Sequence, residues 1–230
     1  MYFNNEVTRY LQSNKILALK LDHALAAVRG KAGEQLLLLG KGATRLIYYT
    51  SCFTDEYQDV CKKQKTEDIR FGNAVVKLLQ NTDVVKEMLK IYFDEVFKYK
   101  SSQQLEHIKE MLLAASVHIA ASNLTGAGFS LAVATTVCVG MNLSLEISAA
   151  TGRAAGFSTA AVTSYGIIQN AADSARRLHV TFPAYYAALY AQELEMMYFL
   201  IEPLLERSGA LHAQRASDSD VVTIISRMIR

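Results

Sequence analysis

The sequence contains no tryptophan, two prolines and three cysteines, and only 20% of its residues are charged, with a net charge of +2. This nearly balanced charge gives no argument for nucleic acid or for an anionic membrane surface as a partner. A hydrophobic content of 51% excludes a disordered protein, because so apolar a chain can bury enough surface to fold. The chain, at 230 residues, is long enough to bury a substantial core.

The cysteines and the start of the chain suggest where the protein is made. Cys52, Cys61 and Cys138 are odd in number and lack metal-ligand spacing, which predicts reduced thiols of the kind found in a cytosol. Residues 1–10 have no basic start followed by an apolar run, so no secretory leader is predicted. We therefore expect a protein that is cytoplasmic in the producing cell and is exported, if at all, by a leaderless route.

Signatures of catalysis are missing as well. The five histidines form no HExxH pattern, and no Walker, dinucleotide or GxSxG sequence occurs. The late glutamates have ExxxE spacing without the Glu-x-x-His pairs of a di-iron bundle, which is typical of a solvated helix face. We expect no enzyme, and no catalytic, cofactor-binding or metal-binding residues.

Hydrophobic periodicity predicts an all-α fold. No strand-like alternation of polar and apolar residues occurs, whereas apolar residues three or four apart recur from Glu6 to Val28 and in later segments. The segment from Leu46 to Val60 is predicted as one of these amphipathic helices. The architecture we expect is a bundle of amphipathic helices around a central apolar helical hairpin.

Several local signals predict where helices begin and end. Ser101 and Gln104 have capping-box spacing and predict a helix that continues unbroken into the apolar stretch. Pro203 is expected to kink or end a helix, and Gly209 to end the next one. Residues 210–216 are predicted to be a linker before a last amphipathic helix. The apolar stripe of that helix is predicted to comprise Val221, Val222, Ile225, Met228 and Ile229.

The central apolar stretch runs from Met111 to Ala172, and its only formal charges are Glu146 and Arg153. The uncharged flanks of this pair each approach or exceed the roughly 20 residues that a helix needs to cross a bilayer. One interpretation is a buried helical core that the rest of the chain wraps. The other is a membrane-entering hairpin with its tip at the charged pair and basic residues at its open end, as the positive-inside tendency favours.

Small residues at every fourth position, including the GxxxG pattern from Gly152 to Gly156, would let two helices approach closely in lipid. We divide the chain into amphipathic helices over 1–110, the hairpin over 111–172 and C-terminal helices over 173–230, within one compact domain. The residues predicted to form the membrane-inserting hairpin are Gly126, Gly128, Ala134, Gly140, Glu146, Gly152, Arg153, Gly156 and Gly166.

This layout of amphipathic helices on either side of a Gly/Ala-rich hairpin, over roughly Ser101 to Arg177, resembles the pore-forming domains of colicin-type bacterial toxins. It is also similar to membrane-depolarising effectors that contractile secretion systems deliver. The resemblance implies a toxin-like protein that folds in water, inserts conditionally into a lipid membrane, and needs an immunity or chaperone partner. The alternative is a soluble all-α interaction or scaffold protein with tightly packed small-residue helices. Under either interpretation a homo-oligomer is a candidate state, and no nucleic acid is expected.

Overall fold

The computed structural model describes residues 32–80, 84–119, 125–148 and 160–229. All regular structure in these ranges is helical, which confirms the all-α fold class. The predicted helix from Glu6 to Val28 lies outside the described residues. The α-helices are α1 (Ala32–Tyr49), α2 (Gln58–Gln80), α3 (Val84–Phe97), α4 (Ser102–Ala114), α5 (Gly126–Ser148), α6 (Ala160–Thr181), α7 (Pro183–Ala191), α8 (Glu202–Ser208) and α9 (Asp218–Ile229). Three 3₁₀ helices complete the list: Thr50–Phe53, Glu195–Leu200 and Ala210–Arg215.

The chain forms two compact units. The first comprises Met1–Leu79 with Leu145–Asp173, and the second comprises Gln80–Ser144 with Ser174–Arg230. The described core of the first unit is therefore built from α1, α2 and the beginning of α6. The second unit contains α3, α4, most of α5, the end of α6 and all the helices that follow.

Aromatic side chains fill the core of the second unit. The rings of Tyr92 on α3 and Tyr185 on α7 are 5.6 Å apart and meet edge to face, and both residues are fully buried. Each hydroxyl donates a hydrogen bond to a backbone carbonyl: that of Tyr92 to Ala210 at 3.0 Å and that of Tyr185 to Met88 at 2.9 Å. These bonds satisfy the buried hydroxyls, which would otherwise oppose folding.

Helix α4 ends four residues into the apolar stretch, so the predicted unbroken continuation is wrong. It begins with the predicted capping box of Ser101 and Gln104 but ends at Ala114. Ser116 has a φ of 64°, and the amide of Val117 donates to the carbonyl of Leu112 at 2.8 Å. A left-handed residue followed by this hydrogen bond closes the helix end and turns the chain away.

Two further predictions about helix ends are wrong, and one is confirmed. Pro203 lies in the first turn of α8 rather than at a helix end, because a helix leaves its first amide groups without internal partners. The predicted linker over residues 210–216 is instead largely the last 3₁₀ helix, in which Ala210 and Ala213 are buried. Gly209 ends α8 with a φ of 78°, as predicted.

The last helix, α9, packs against α4 and α8. Within the predicted stripe Val221, Ile225 and Met228 are buried, and Ile224 is buried as well, although the sequence analysis did not include it. Ser217 caps the helix, since its hydroxyl accepts from the amide of Asp220. Packing of this stripe keeps so short a helix folded.

Candidate functional site

Helix α5 carries most of the described residues of the predicted hairpin, and over residues 126–140 it buries only one side. Phe129 lies on that side with its ring 5.1 Å from that of Phe97 on α3. Val133, Ala134 and Val137 continue the same face and are fully buried. The interpretation of a helix buried on all sides therefore does not hold for the part of α5 whose side chains are described, where Leu131 and Val139 are exposed.

Gly140 lies where α5 meets α9. A Cβ atom at this position would be 3.2 Å from the carbonyl oxygen of Ile229 and 3.3 Å from its Cγ2. That approach is tighter than side-chain packing normally permits. The small residue predicted here therefore serves helix contact within the folded chain.

The opposite side of α5 is open and apolar. Ala127, Leu131, Thr135 and Val139 are four residues apart, which places them on one stripe of the helix. All four are exposed, Val139 by 60% of its surface. We call these four residues the α5 stripe.

Hydroxyl groups on α5 are satisfied by the helix itself. Ser130, Thr135 and Thr136 each donate to the carbonyl oxygen four residues earlier, at 2.9, 2.8 and 2.9 Å. A hydroxyl bonded in this way loses little when the helix leaves water, because its hydrogen bond moves with the helix. These hydroxyl groups therefore make α5 less polar than its content of serine and threonine indicates.

The other predicted hairpin residues are dispersed. Gly126 is the exposed first residue of α5, and Gly128 is half-buried and donates its amide to the hydroxyl of Thr125. Gly166 is buried in α6, in the first unit. Glu146 belongs to the last turn of α5. Gly152, Arg153 and Gly156 lie outside the described residues, so the hairpin tip stays a prediction.

A buried ionic cluster that no sequence pattern predicted lies in the first unit. The guanidinium of Arg45 on α1 is inaccessible to solvent and pairs with the equally buried carboxylate of Asp68 on α2. It also donates at 3.1 Å to Glu67, to the backbone carbonyl of Gln64 and to the side chain of Gln169 on α6. A single arginine among apolar residues gives no sequence signal of this kind, because its partners are distant in the chain.

Burial controls the ionisation of this cluster. It raises the pKa of Asp68 to about 6, although the neighbouring Arg45 charge and its hydrogen bond act in the opposite direction. Burial likewise raises the pKa of Tyr165 to about 12, with Asp68 adding to the shift. The Tyr165 hydroxyl finds no hydrogen-bond partner among the described residues, and its ring contacts that of Tyr49, whose hydroxyl donates to Asp68.

Polar contacts also hold α6 in each unit. In the first unit the amine of Lys41 donates to Asn170 at 2.8 Å and lies 3.4 Å from Asp173. In the second unit Glu202 accepts from Ser174 and from Arg177. Each of these contacts stabilises α6 in its folded position.

The cysteine prediction is wrong for two of the three thiols. Cys52 and Cys61 form a disulfide with Cα atoms 4.9 Å apart. It joins the 3₁₀ helix Thr50–Phe53 to the first turn of α2. The disulfide encloses the exposed Phe53, at the end of that 3₁₀ helix, and the exposed Tyr57, in the loop that follows. The predicted amphipathic helix from Leu46 to Val60 is therefore two helix ends and a disulfide-closed loop.

The described ranges contain neither a membrane span nor a metal site. No helix there combines the length and apolarity of a membrane span, and no group of histidine, cysteine, aspartate and glutamate side chains there is arranged to hold a metal ion. No protein-family model, curated protein or solved structure matches the chain.

Proposed function

We propose that this chain is a toxin-like effector that inserts a helical hairpin, with α5 as its first arm, into a lipid membrane and permeabilises it. The observation that supports this most is α5 itself. Its 23 residues include one charged side chain, Glu146, in the last turn. At about 1.5 Å per residue such a helix is about 35 Å long, enough for a hydrocarbon core of about 30 Å.

The environment of α5 fits conditional insertion. The α5 stripe is apolar and already exposed, and the hydroxyls of Ser130, Thr135 and Thr136 carry their hydrogen bonds with them. The cost of insertion comes from separating the buried face, including Phe129, from its neighbours. A trigger such as acidic pH or anionic lipid would have to offset that cost. A producing cell would need an immunity partner.

The exposed stripe permits a test that leaves the folded protein intact. Val139 lies near the middle of α5 and is 60% exposed. Val139→Arg therefore places a charge at the centre of the inserted helix, yet leaves that charge exposed to solvent in the folded protein. An arginine at a membrane centre costs roughly 2.5–3.5 kcal/mol or more, which lowers the inserted population about a hundredfold. We expect dye release from liposomes to fall accordingly.

Val180→Arg is the matched control. It introduces the same side chain at a valine that is 78% exposed, near the end of α6 and outside the proposed hairpin. Both variants should have the circular dichroism spectrum and melting temperature of the parent. Equal dye release by the parent and Val139→Arg would refute insertion of α5.

A specific observation favours a second candidate, an all-α interaction protein. Large apolar side chains are exposed on the first unit, namely Leu46, Ile47, Tyr48, Phe53, Tyr57, Ile69 and Val76. Exposed apolar surface of this kind is typical of protein–protein contacts. If the parent leaves liposomes intact at acidic pH and with anionic lipid, and light scattering shows a concentration-dependent oligomer that Phe53→Ser dissociates, this candidate replaces the first.

A further inference from the structure

The disulfide and the buried ion pair of the first unit connect the same two stretches of chain at matched distances along the sequence. Arg45 precedes Cys52 by seven residues, and Asp68 follows Cys61 by seven residues. Within α2 seven residues are close to two helical turns, so Asp68 lies on the side of α2 that carries Cys61, whereas Cys52 lies in the 3₁₀ helix that follows α1. The α1–α2 pair is thus joined covalently next to its loop and ionically two turns further along.

The ion pair tolerates only one alignment of the two helices. Arg45 is fully buried, and its guanidinium uses all of its nitrogens on Asp68, Glu67, Gln64 and Gln169. If α2 moved along α1, a buried guanidinium would lose carboxylate partners, which is strongly unfavourable. The disulfide prevents such movement at the end of the pair next to the exposed loop 54–57, where Gln58 also donates to the backbone carbonyl of Cys52 at 3.5 Å.

The same guanidinium reaches α6. Its Nη1 atom donates to the side-chain oxygen of Gln169 at 3.1 Å, and Gln169 in turn donates to Asp173 at 2.9 Å. Alignment of α1 with α2 therefore determines whether the beginning of α6 is held by a buried polar contact.

We propose that the Cys52–Cys61 disulfide is a redox latch on α6: when it is intact, Arg45 and Asp68 stay aligned and hold Gln169, and when it is reduced, α1 and α2 separate and release α6. The consequence for membranes rests on the proposed function, in which the part of α6 up to Ala172 supplies the second arm of the hairpin. Reduction should then make insertion easier.

The chemistry needs a thiol reductant, for example glutathione. A glutathione thiolate attacks the sulfur of Cys52, which is the more accessible of the two, since Cys61 is only 2% exposed. The Cys52–Cys61 bond breaks, and the Cys61 thiolate leaves and takes up a proton. A second glutathione then attacks the mixed disulfide, which yields the Cys52 thiol and oxidised glutathione. Two thiols are oxidised and one protein disulfide is reduced.

Hydrogen–deuterium exchange of the full chain, in oxidised or in reduced glutathione, tests the latch. We expect amide exchange over residues 165–173 to accelerate about tenfold or more on reduction, because the local opening free energy falls. Cys52→Ser/Cys61→Ser should exchange like the reduced parent under both conditions. Cys138→Ser, which leaves the disulfide intact, should respond to glutathione as the parent does. Unchanged exchange over 165–173 in the reduced parent would overturn the proposal.

Dye release from phosphatidylethanolamine–phosphatidylglycerol vesicles, recorded on the same samples, separates the latch from the proposed function. Faster release by the reduced parent supports both. If neither form releases dye, the proposed function fails, and exchange alone decides the latch. If the reduced parent exchanges faster but releases dye no faster than the oxidised one, release of α6 does not promote insertion and the membrane part of the proposal is refuted.

Discussion

Replacing Arg45 with methionine, which has similar bulk but no charge, tests the ionic cluster of the first unit. The change leaves the Asp68 carboxylate buried without the guanidinium that compensates it. Removing one partner of a buried pair typically costs 3–5 kcal/mol. We expect Arg45→Met to lower the free energy of unfolding of the first unit by about that amount at neutral pH.

The cost should depend on pH in a defined direction. In the parent, the pKa of Asp68 is about 6 when folded, above the 3.8 of an exposed aspartate. The folded chain therefore takes up a proton before the unfolded chain does, so this group adds stability as pH falls from 7 towards 4, by up to about 3 kcal/mol. Loss of Arg45 raises this pKa further, so the cost of Arg45→Met should shrink as pH falls.

Two variants complete the cycle. Asp68→Asn should remove the pH-dependent gain, and Arg45→Met/Asp68→Asn should cost much less than Arg45→Met, because no buried charge is left without a partner. Urea unfolding followed by circular dichroism at about pH 8 and about pH 5 measures all four proteins. A cost below about 1 kcal/mol for Arg45→Met, or an equal cost at both pH values, would refute the electrostatic reasoning.

Two other predictions concern packing. Gly140→Leu should lower stability by about 1–3 kcal/mol, since its side chain would collide with Ile229. Gly40→Ala should raise stability by about 0.5–1 kcal/mol, because nothing lies within 4 Å of its new Cβ. Thermal unfolding of both variants checks this, and destabilisation by both would contradict it. Ile225→Ala should lower the free energy of unfolding by about 2–5 kcal/mol, because Ile225 is fully buried where α9 packs. Thr223→Ala, at an exposed position of the same helix, is its control. A melting temperature of Ile225→Ala equal to that of the parent would show that α9 contributes no stability.

Local rules in the sequence determined the helical class and several helix ends. Ser101 and Gln104 form the capping hydrogen bonds that their spacing predicts, and Gly209 adopts the left-handed conformation that ends α8. Ser217 likewise caps α9 through a local bond, since its hydroxyl accepts from the amide of Asp220. These features depend on residues at most a few positions apart. Short-range geometry suffices to specify them.

The helix ends that lack a glycine could not be predicted from the sequence. Ser116 and Glu193 adopt positive φ angles of 64° and 54° and end α4 and α7. Neither residue type favours this conformation, so nothing in the sequence predicted these ends. The amides that follow these residues, those of Val117 and Leu194, donate to the carbonyls of Leu112 and Leu189 and close the two helix ends.

The candidate site divides in the same way. The sequence alone indicated that α5 is nearly free of charge, but it assigned no direction to Ala134 or Val139. The fold buries the first and exposes the second, because Phe129 and Gly140 contact α3 and α9, which come from distant parts of the chain. The pairing of Arg45 with Asp68, its contact with Gln169, and the Cys52–Cys61 disulfide likewise depend on how α1, α2 and α6 fold together. Composition determines which segments are apolar enough to be buried, and the tertiary structure decides which of their side chains are buried and what they contact.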